Sequence, residues 1–377
     1  MKIGIDSRAA NWYRGTGIGT YTYQLINSLN KIDFFNEYLL FMPKDGTCDI
    51  RFNNNYKIKN ISQDMKGNFW DEVNIPNILK SKDMDLYHVP QNGIGLPKEK
   101  TCPFIITLHD IIPYKMPETV GETYLEIFLR EMPSIISKCD GIITVSNYSK
   151  KDILNAFDFP EDKVFVTHLA NEDIYIPLDK KQCKDFMKKN YSINGDYILY
   201  VGGFSPRKNI VGLIQAFSKL LNKLKNSSLK LVIVGKQGKS YSLYKKTADD
   251  LQLSDNVIFP GFIPLEHMPI FYNACEFFVY PSLYEGFGLP PIEAMACGVP
   301  IVASNLTSIP EVVGDAGILI NPYDVDELYD AMYKVLEDRN LRNDLIDKSL
   351  KRSSEFSWLK TAETTLKAYN SIIKNLK

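Results

Sequence analysis

The segment Tyr284–Pro300, YEGFGLPPIEAMACGVP, holds the densest set of residues in this chain that could do chemistry. Pro290 and Pro291 stand where a helix can begin, since proline is tolerated in a first turn. Gly286 and Gly288, with Phe287 between them and Leu289 after, let backbone come close to a ligand. A helix starting there offers unpaired N–H groups and partial positive charge to a phosphate. Glu293, on that helix, is unsuited to phosphate and better suited to accept hydrogen bonds from ribose hydroxyls. Glu285, on the preceding loop, can reach sugar hydroxyls. A capped helix with two solvated acids fits the same residues.

Three further segments carry candidates. Gly202–Asn209, GGFSPRKN, follows an apolar run; Gly202 and Gly203 admit a ligand, and Arg207 and Lys208 supply charge for a diphosphate. A basic turn facing water is the competing reading. Gly235, with Lys236, ends another apolar run and lines the same pocket. Arg14–Gly19, RGTGIG, is glycine-rich, but its strict alternation is not the GxGxxG of a dinucleotide site. In Thr107–Pro117, TLHDIIPYKMP, His109 lies at the carboxyl end of a predicted strand, where doubly wound sheets bind ligands. A lone histidine is also a common structural residue, and Asp110 suits capping of the loop that follows.

These segments need elements to hold them. Short apolar runs alternate with amphipathic ones, the pattern of a parallel sheet covered by helices. Strands are predicted at Lys2–Asp6, Tyr38–Met42, Leu86–Val89, Phe104–Leu108, Gly141–Val145 and Val164–Thr167. Helices are predicted over Gly19–Leu29, with Tyr21, Leu25, Ile26 and Leu29 on one face, and from Ser146 to Ala156. After Asn171–Pro177 and a basic helix, Lys180–Tyr191, the alternation restarts at Tyr197–Val201, Lys230–Val234, Asn256–Phe259, Phe277–Tyr280, Ile301–Ala303 and Gly317–Ile320. The restart implies two doubly wound domains in tandem. The tail, Ser357–Lys377, is one long helical pattern with Trp358, Ala362, Leu366, Tyr369 and Ile373 available for packing.

Bulk composition narrows the class. A chain of 377 residues exceeds one ordinary core, and a net charge of −1 removes any global drive toward nucleic acid. The 6 cysteines, Cys48, Cys102, Cys139, Cys183, Cys275 and Cys297, stand singly, as buried thiols in a reducing compartment do. No apolar run reaches the roughly 18 residues that span a bilayer. The chain reads as cytoplasmic. Tyr124–Ile136 is apolar on one side and Lys180, Lys181, Lys184, Lys188 and Lys189 form a basic face. A lipid or anionic headgroups could meet them, but a helix covering its own core and a solvated surface are the favoured readings.

Glu285 and Glu293, separated by seven residues, match the E-x7-E motif of glycosyltransferase family 4, which this chain closely resembles. The likeness continues through SNLTSIP, Glu311 and Gly314-Asp315-Ala316-Gly317, and extends over nearly the whole chain to Phe356-Ser357-Trp358. One departure is His168–Asp173, HLANED, where the family often has a PNGVD-like turn.

The resemblance implies an α/β GT-B fold, in which two Rossmann-like doubly wound domains face a central cleft and the C-terminal helix crosses back to the first domain. The domains are expected at 1–176 (acceptor side, with helix 357–377) and 177–356 (nucleotide-sugar side). It implies that Arg207 and Lys208 stabilise a departing nucleotide diphosphate without a metal, that Gly17 approaches the donor and that His109 contacts the donor sugar. It also places the loop of Phe262 against the base. The activity implied is retaining transfer of a hexose from a nucleotide-diphosphate sugar to a glycan or lipid-linked glycan. IDSRAANWYRGTGIGTYTYQL resembles bacterial mannosyltransferases of the family, which favours GDP-mannose, with UDP-sugars as the other donors. On this reading Lys208→Ala removes turnover and spares the fold. The alternatives are a nucleotide-sugar epimerase of the same fold, an NAD-dependent oxidoreductase and an inactive binding subunit. The last has no need of Glu285, Glu293, Arg207, Lys208 and His109 together.

Overall fold

The structure, a computed structural model, describes residues 1–43, 49–61, 84–97, 99–225 and 228–376; Cys48 and Lys377 lie outside them. The chain divides into two compact units, Met1–Leu169 with Ser357–Lys377, and Ala170–Phe356.

The first unit is built on β1 (Lys2–Asp6), β2 (Glu37–Pro43), β3 (Tyr56–Ile61), β4 (Leu86–Val89), β5 (Phe104–Thr107), β6 (Gly141–Thr144) and β7 (Val164–Val166). They form one parallel sheet in the order β3-β2-β1-β4-β5-β6-β7. Every residue of β4, β5 and β6 is buried, so these strands read as short apolar runs without alternation. The unexpected strand is β3, YKIKNI. Its Lys57 and Lys59 are exposed, as suits the edge of a sheet, and they mask the apolar signal. Tyr56 nevertheless stacks on Tyr38, with centroids 4.4 Å apart.

Helices cover this sheet as the periodicity predicts. Gly17–Ile32 buries Tyr21, Leu25, Ile26 and Leu29, and Thr16 caps its start by accepting from Gly19 N–H. Ser146 caps Asn147–Ala156 by accepting from Ser149 N–H at 2.9 Å. Glu122–Lys138 turns Ile127, Phe128, Met132 and Ile135 into the core. The C-terminal helix Trp358–Leu376 belongs to this unit: Thr361 donates to the His168 carbonyl at 2.5 Å, and Ile372 packs over Gly141.

The second unit is built on β8 (Tyr197–Val201), β9 (Lys230–Val234), β10 (Val257–Gly261), β11 (Phe277–Tyr280), β12 (Ile301–Ser304) and β13 (Gly317–Ile320). Its parallel sheet has the order β10-β9-β8-β11-β12-β13. The segment 170–178 packs here, since Asn273 donates to the Ile176 carbonyl at 3.0 Å and accepts from Leu178 N–H at 2.8 Å. In the basic helix Lys180–Tyr191, Lys180 and Lys184 pair with Glu276, and Lys184 also with Asp196.

In each sheet the chain order reverses beside the first strand, between β1 and β4 and between β8 and β11. The loops leaving the two strands of such a pair diverge and open a crevice at their carboxyl ends. All five described cysteines are buried and unpaired. Among the described residues no helix is long and apolar enough to cross a membrane.

At one crevice edge Gly235 meets the loop after β8 so closely that a Cβ there would lie 2.0 Å from the Gly202 carbonyl oxygen. Around Gly203 a Cβ would meet nothing within 4 Å. Gly235→Ala is expected to cost about 1–3 kcal/mol through overpacking, and Gly203→Ala to leave stability unchanged. Urea denaturation checks both, and equal midpoints would contradict the packing described here.

Candidate active site

The crevice of the second unit is lined by the loops after β8 and β11, and these are tied together. Leu283 N–H donates to the Arg207 carbonyl at 2.7 Å, and Arg207 donates to the Tyr284 carbonyl at 2.8 Å. Between them lies Glu285, 7% exposed, with Lys208 Nζ 2.5 Å from Oε1 and Arg207 Nη1 3.1 Å from Oε2. Lys208 also donates to the Tyr280 hydroxyl at 2.8 Å, and Tyr280 donates to Glu285 Oε1 at 3.0 Å. Burial alone pushes the Glu285 carboxyl up, but Lys208 and Arg207 outweigh it and hold the group at about 2. Two cations around one fixed anion leave a net charge of +1 at the crevice.

Beside this cluster begins the helix Leu289–Ala296. Gly288, its N-cap, has φ +122°, a conformation open to glycine, and no side chain caps the first turn. Four N–H groups at a helix start lack intrahelical acceptors. Here two belong to Pro290 and Pro291, which have none, so the available donors are Gly288 and Leu289. Neither has an acceptor among the described residues. Ser308 fixes the loop by donating to the carbonyls of Glu285 and Phe287 at 2.9 and 2.8 Å. An anion with several oxygens fits this combination of +1 charge and unpaired peptide donors.

The other candidates of this unit lie apart in character. Among the described residues Glu293 makes no ion pair: the Tyr272 hydroxyl donates to its Oε2 at 2.7 Å. Burial is the main reason its carboxyl is raised to about 7; the charge of Glu172 adds to the rise, and Tyr272 and Tyr175 oppose it. The Phe287 ring packs against Phe356 and is 4% exposed, so that residue can offer a ligand only backbone. Gly235 has its packing reason, donating also to the Gly261 carbonyl at 3.1 Å. Phe262, next in the chain, is 70% exposed, an open aromatic face at the end of β10.

In the first unit His109 follows β5, 8% exposed, with its ring edge-on to Tyr21 at 4.8 Å. The Pro90 carbonyl lies 2.9 Å from Nε2 and must receive a proton from it. That fixes the tautomer and leaves Nδ1 a lone pair with no protein donor among the described residues. Burial lowers the imidazole to about 4, against the Pro90 contact, so the ring is neutral at physiological pH. Asp110 accepts from Ile112 N–H at 3.0 Å, the capping role expected of it. Gly17 opens its helix, and neither its N–H nor that of Ile18 has an acceptor among the described residues. Gly19 is the glycine the packing demands, since a Cβ there would lie 1.8 Å from the Tyr13 carbonyl oxygen.

Sequence reasoning missed Tyr280, Ser308, Tyr272 and Tyr21. Tyr280 sits at the end of a predicted strand, which is a usable signal. Ser308 lies within the SNLTSIP segment that carried the family likeness, a usable signal as well, whereas Tyr272 reaches Glu293 from a distant part of the chain and carries none.

Two parallel sheets of this order, each reversing beside its first strand, are two Rossmann-like domains of the GT-B type. The family model described as Glycosyltransferase Family 4 matches residues 15–170, and that described as Glycosyl transferases group 1 matches residues 184–352. O-antigen chain mannosyltransferase B of Escherichia coli is 34% identical over 284 residues, 75% of this chain and 74% of that protein. Serotype-specific mannosyltransferase WbdA of Escherichia coli is 30% identical over 77% of this chain, which spans only 36% of WbdA. Among solved structures, sucrose-phosphate synthase from Thermosynechococcus elongatus superposes with a TM-score of 0.78 at 20% identity over 100% of both chains. WaaG, a glycosyltransferase involved in lipopolysaccharide biosynthesis, gives 0.72 at 14% identity over 99% of both. The chain belongs to glycosyltransferase family 4, and it is an enzyme of glycosyl transfer.

The structure changes the expectation for Lys208→Ala. Removing this cation leaves Glu285 buried with Arg207 alone, and breaking a buried pair from one side costs roughly 3–5 kcal/mol. Because the carboxyl is held below its ordinary 4.5, the pair's contribution is complete above pH 4.5 and is lost as pH falls toward 2. Urea midpoints at pH 7 are expected to drop for Lys208→Ala and to recover in part for Lys208→Ala/Glu285→Gln. No drop in the single variant would show that the buried pair does not form.

Proposed function

We propose that this enzyme transfers mannose from GDP-mannose to a growing surface polysaccharide of O-antigen type, or to its lipid-linked precursor, with retention of anomeric configuration and without a metal ion. The donor and pathway rest on the activities of the relatives, above all the one 34% identical to this chain. The chemistry rests on one observation, the +1 cluster of Lys208, Arg207 and Glu285 beside the unpaired donors of Gly288 and Leu289.

A leaving nucleoside diphosphate needs its developing charge stabilised by groups already in place. Lys208 and Arg207 meet that charge, and the first turn of the helix Leu289–Ala296 adds peptide N–H groups and the helix dipole. Glu285, ionised down to about pH 2, cannot serve as a general acid; it orients the two cations and accepts from a sugar hydroxyl. His109 is neutral, so it acts through Nδ1 as a hydrogen-bond acceptor for a sugar hydroxyl and carries no charge to the reaction. The C1–O bond to the β-phosphate breaks, the acceptor oxygen bonds to C1 from the same face, and its proton passes to the departing phosphate oxygen. Glu293 and the Phe262 loop hold ribose and base. The reaction takes place in the cytoplasm, with membrane contact peripheral and made through the acceptor.

Two measurements test this reading. Ligands that bind only the native state raise its melting temperature by mass action, about 2.7 kcal/mol of stabilisation at a hundredfold excess over Kd. GDP is expected to shift the transition equally with and without EDTA. A larger shift with UDP would change the donor, and a shift with NAD alone would overturn the reading. The pH–rate profile is expected to show no inflection from His109 near the ordinary 6.5. An inflection there that His109→Asn abolishes would mean that the ring cycles its charge.

A further inference from the structure

Glu293 is the one candidate carboxylate whose partners are all uncharged or of its own sign. It projects from the helix Leu289–Ala296 toward the helix Met268–Ala274 and the segment 170–178. Tyr272, fully buried, donates to its Oε2 at 2.7 Å. Tyr175, 3% exposed, packs edge-on against Tyr272 with centroids 5.7 Å apart, and its hydroxyl acts on the same carboxylate. Glu172, 6% exposed, lies one turn before Tyr175, its backbone carbonyl accepting from Tyr175 N–H at 3.1 Å, and its side chain acts on Glu293 as a like charge. Cys297, on the same helix, is buried and held in its thiol form. Of the other elements packed on this helix, Arg352 is engaged by Glu355 and by the carbonyls of Val312 and Glu311, and Lys208 by Glu285. Among the described residues no cation acts on the Glu293 carboxylate.

An ionised carboxylate has about four acceptor sites. The Tyr272 hydroxyl fills one, and the remainder can take both donors of a vicinal diol such as a ribose. A protonated carboxyl would instead present a proton of its own to that diol. We propose that Tyr272, Tyr175 and Glu172 are positioning residues for nucleoside recognition: the tyrosines aim the Glu293 carboxylate and favour its anion, Glu172 opposes the anion, and nucleoside binding therefore expels a proton from Glu293. This rests on the assignment of Glu293 to the ribose.

The carboxyl titrates at about 7 before ligand arrives, so the coupling falls in the physiological range. Binding favours the anion; nucleotide affinity thus rises with pH up to that value and levels off above it. Losing a hydrogen bond to the charged form moves the midpoint up, and losing a like charge moves it down. Tyr272→Phe and Tyr175→Phe keep the rings that fill the core and remove only the hydroxyls.

The test is calorimetry of GDP binding from pH 5.5 to 8.5 in pairs of buffers with different heats of ionisation, which counts protons released. Glu293→Gln supplies the contribution of the GDP phosphates. Relative to that reference, wild type is expected to release a proton near pH 6.5. The midpoint is expected to move up by about one pH unit in Tyr272→Phe and down by a similar amount in Glu172→Gln. A carbon-13 titration of the Glu293 carboxyl in the ligand-free protein reads the same shifts without nucleotide. If that resonance titrates identically in wild type, Tyr272→Phe and Glu172→Gln, the positioning role is wrong, whatever GDP does. If it shifts as described while Glu293→Gln binds GDP like wild type, the assignment of Glu293 to the ribose fails, and the coupling to nucleoside fails with it.

Discussion

A carboxylate buried between two cations holds the candidate site of the second unit together. Strand order sends the loops after β8 and β11 apart, and that divergence makes room for a ligand. Nothing in the sheet then keeps Arg207 and Lys208 near the helix that starts at Leu289. Glu285 does so, accepting from both cations, and Tyr280 closes the triangle. An ion pair removed from water must be matched closely to be tolerated. Here the surplus cation is what the site retains: had Glu285 faced Lys208 alone, the pair would be neutral and offer a diphosphate little.

In the first unit His109 is supported by uncharged groups. His88, buried beneath His109, is lowered to about 3 by burial first and the neighbouring imidazole second. It lies 2.7 Å from the Tyr369 hydroxyl and 2.8 Å from that of Thr107, which in turn lies 2.9 Å from the Tyr21 hydroxyl. Tyr21 is the ring on which His109 rests. The C-terminal helix, through Tyr369, thus takes part in the support of His109 although it is the last element of the chain. At the neighbouring crevice edge the buried Asp6–Arg8 pair, with Gln91 donating to Asp6, ties β1 to β4.

Much of this was legible in the sequence. Strands of a covered parallel sheet are short apolar runs, and β4, β8, β9, β11 and β13 fall where such runs were read. Caps at Ser146 and the paired prolines at 290 and 291 declare helix starts by local chemistry, which needs no knowledge of the rest of the fold. What stayed hidden depends on distance along the chain. The β3 strand hid because an edge strand is allowed lysines. The Lys208–Glu285 contact spans 77 residues, and it turned a pair of solvent-facing candidates into a buried, coupled group. Tyr272 and Glu172 carry no motif at all; only folding brings them to Glu293. The packing reason for Gly235 was equally invisible, since it lies in the carbonyl of a neighbouring loop.

The most direct test of the account is the fate of GDP-α-mannose offered to the enzyme in EDTA without acceptor, followed by proton NMR as water slowly replaces the acceptor. The account predicts that mannose appears first as the α anomer, equilibrating only later, and that added magnesium leaves the rate unchanged. First appearance of the β anomer, or release only when magnesium is restored, would contradict it.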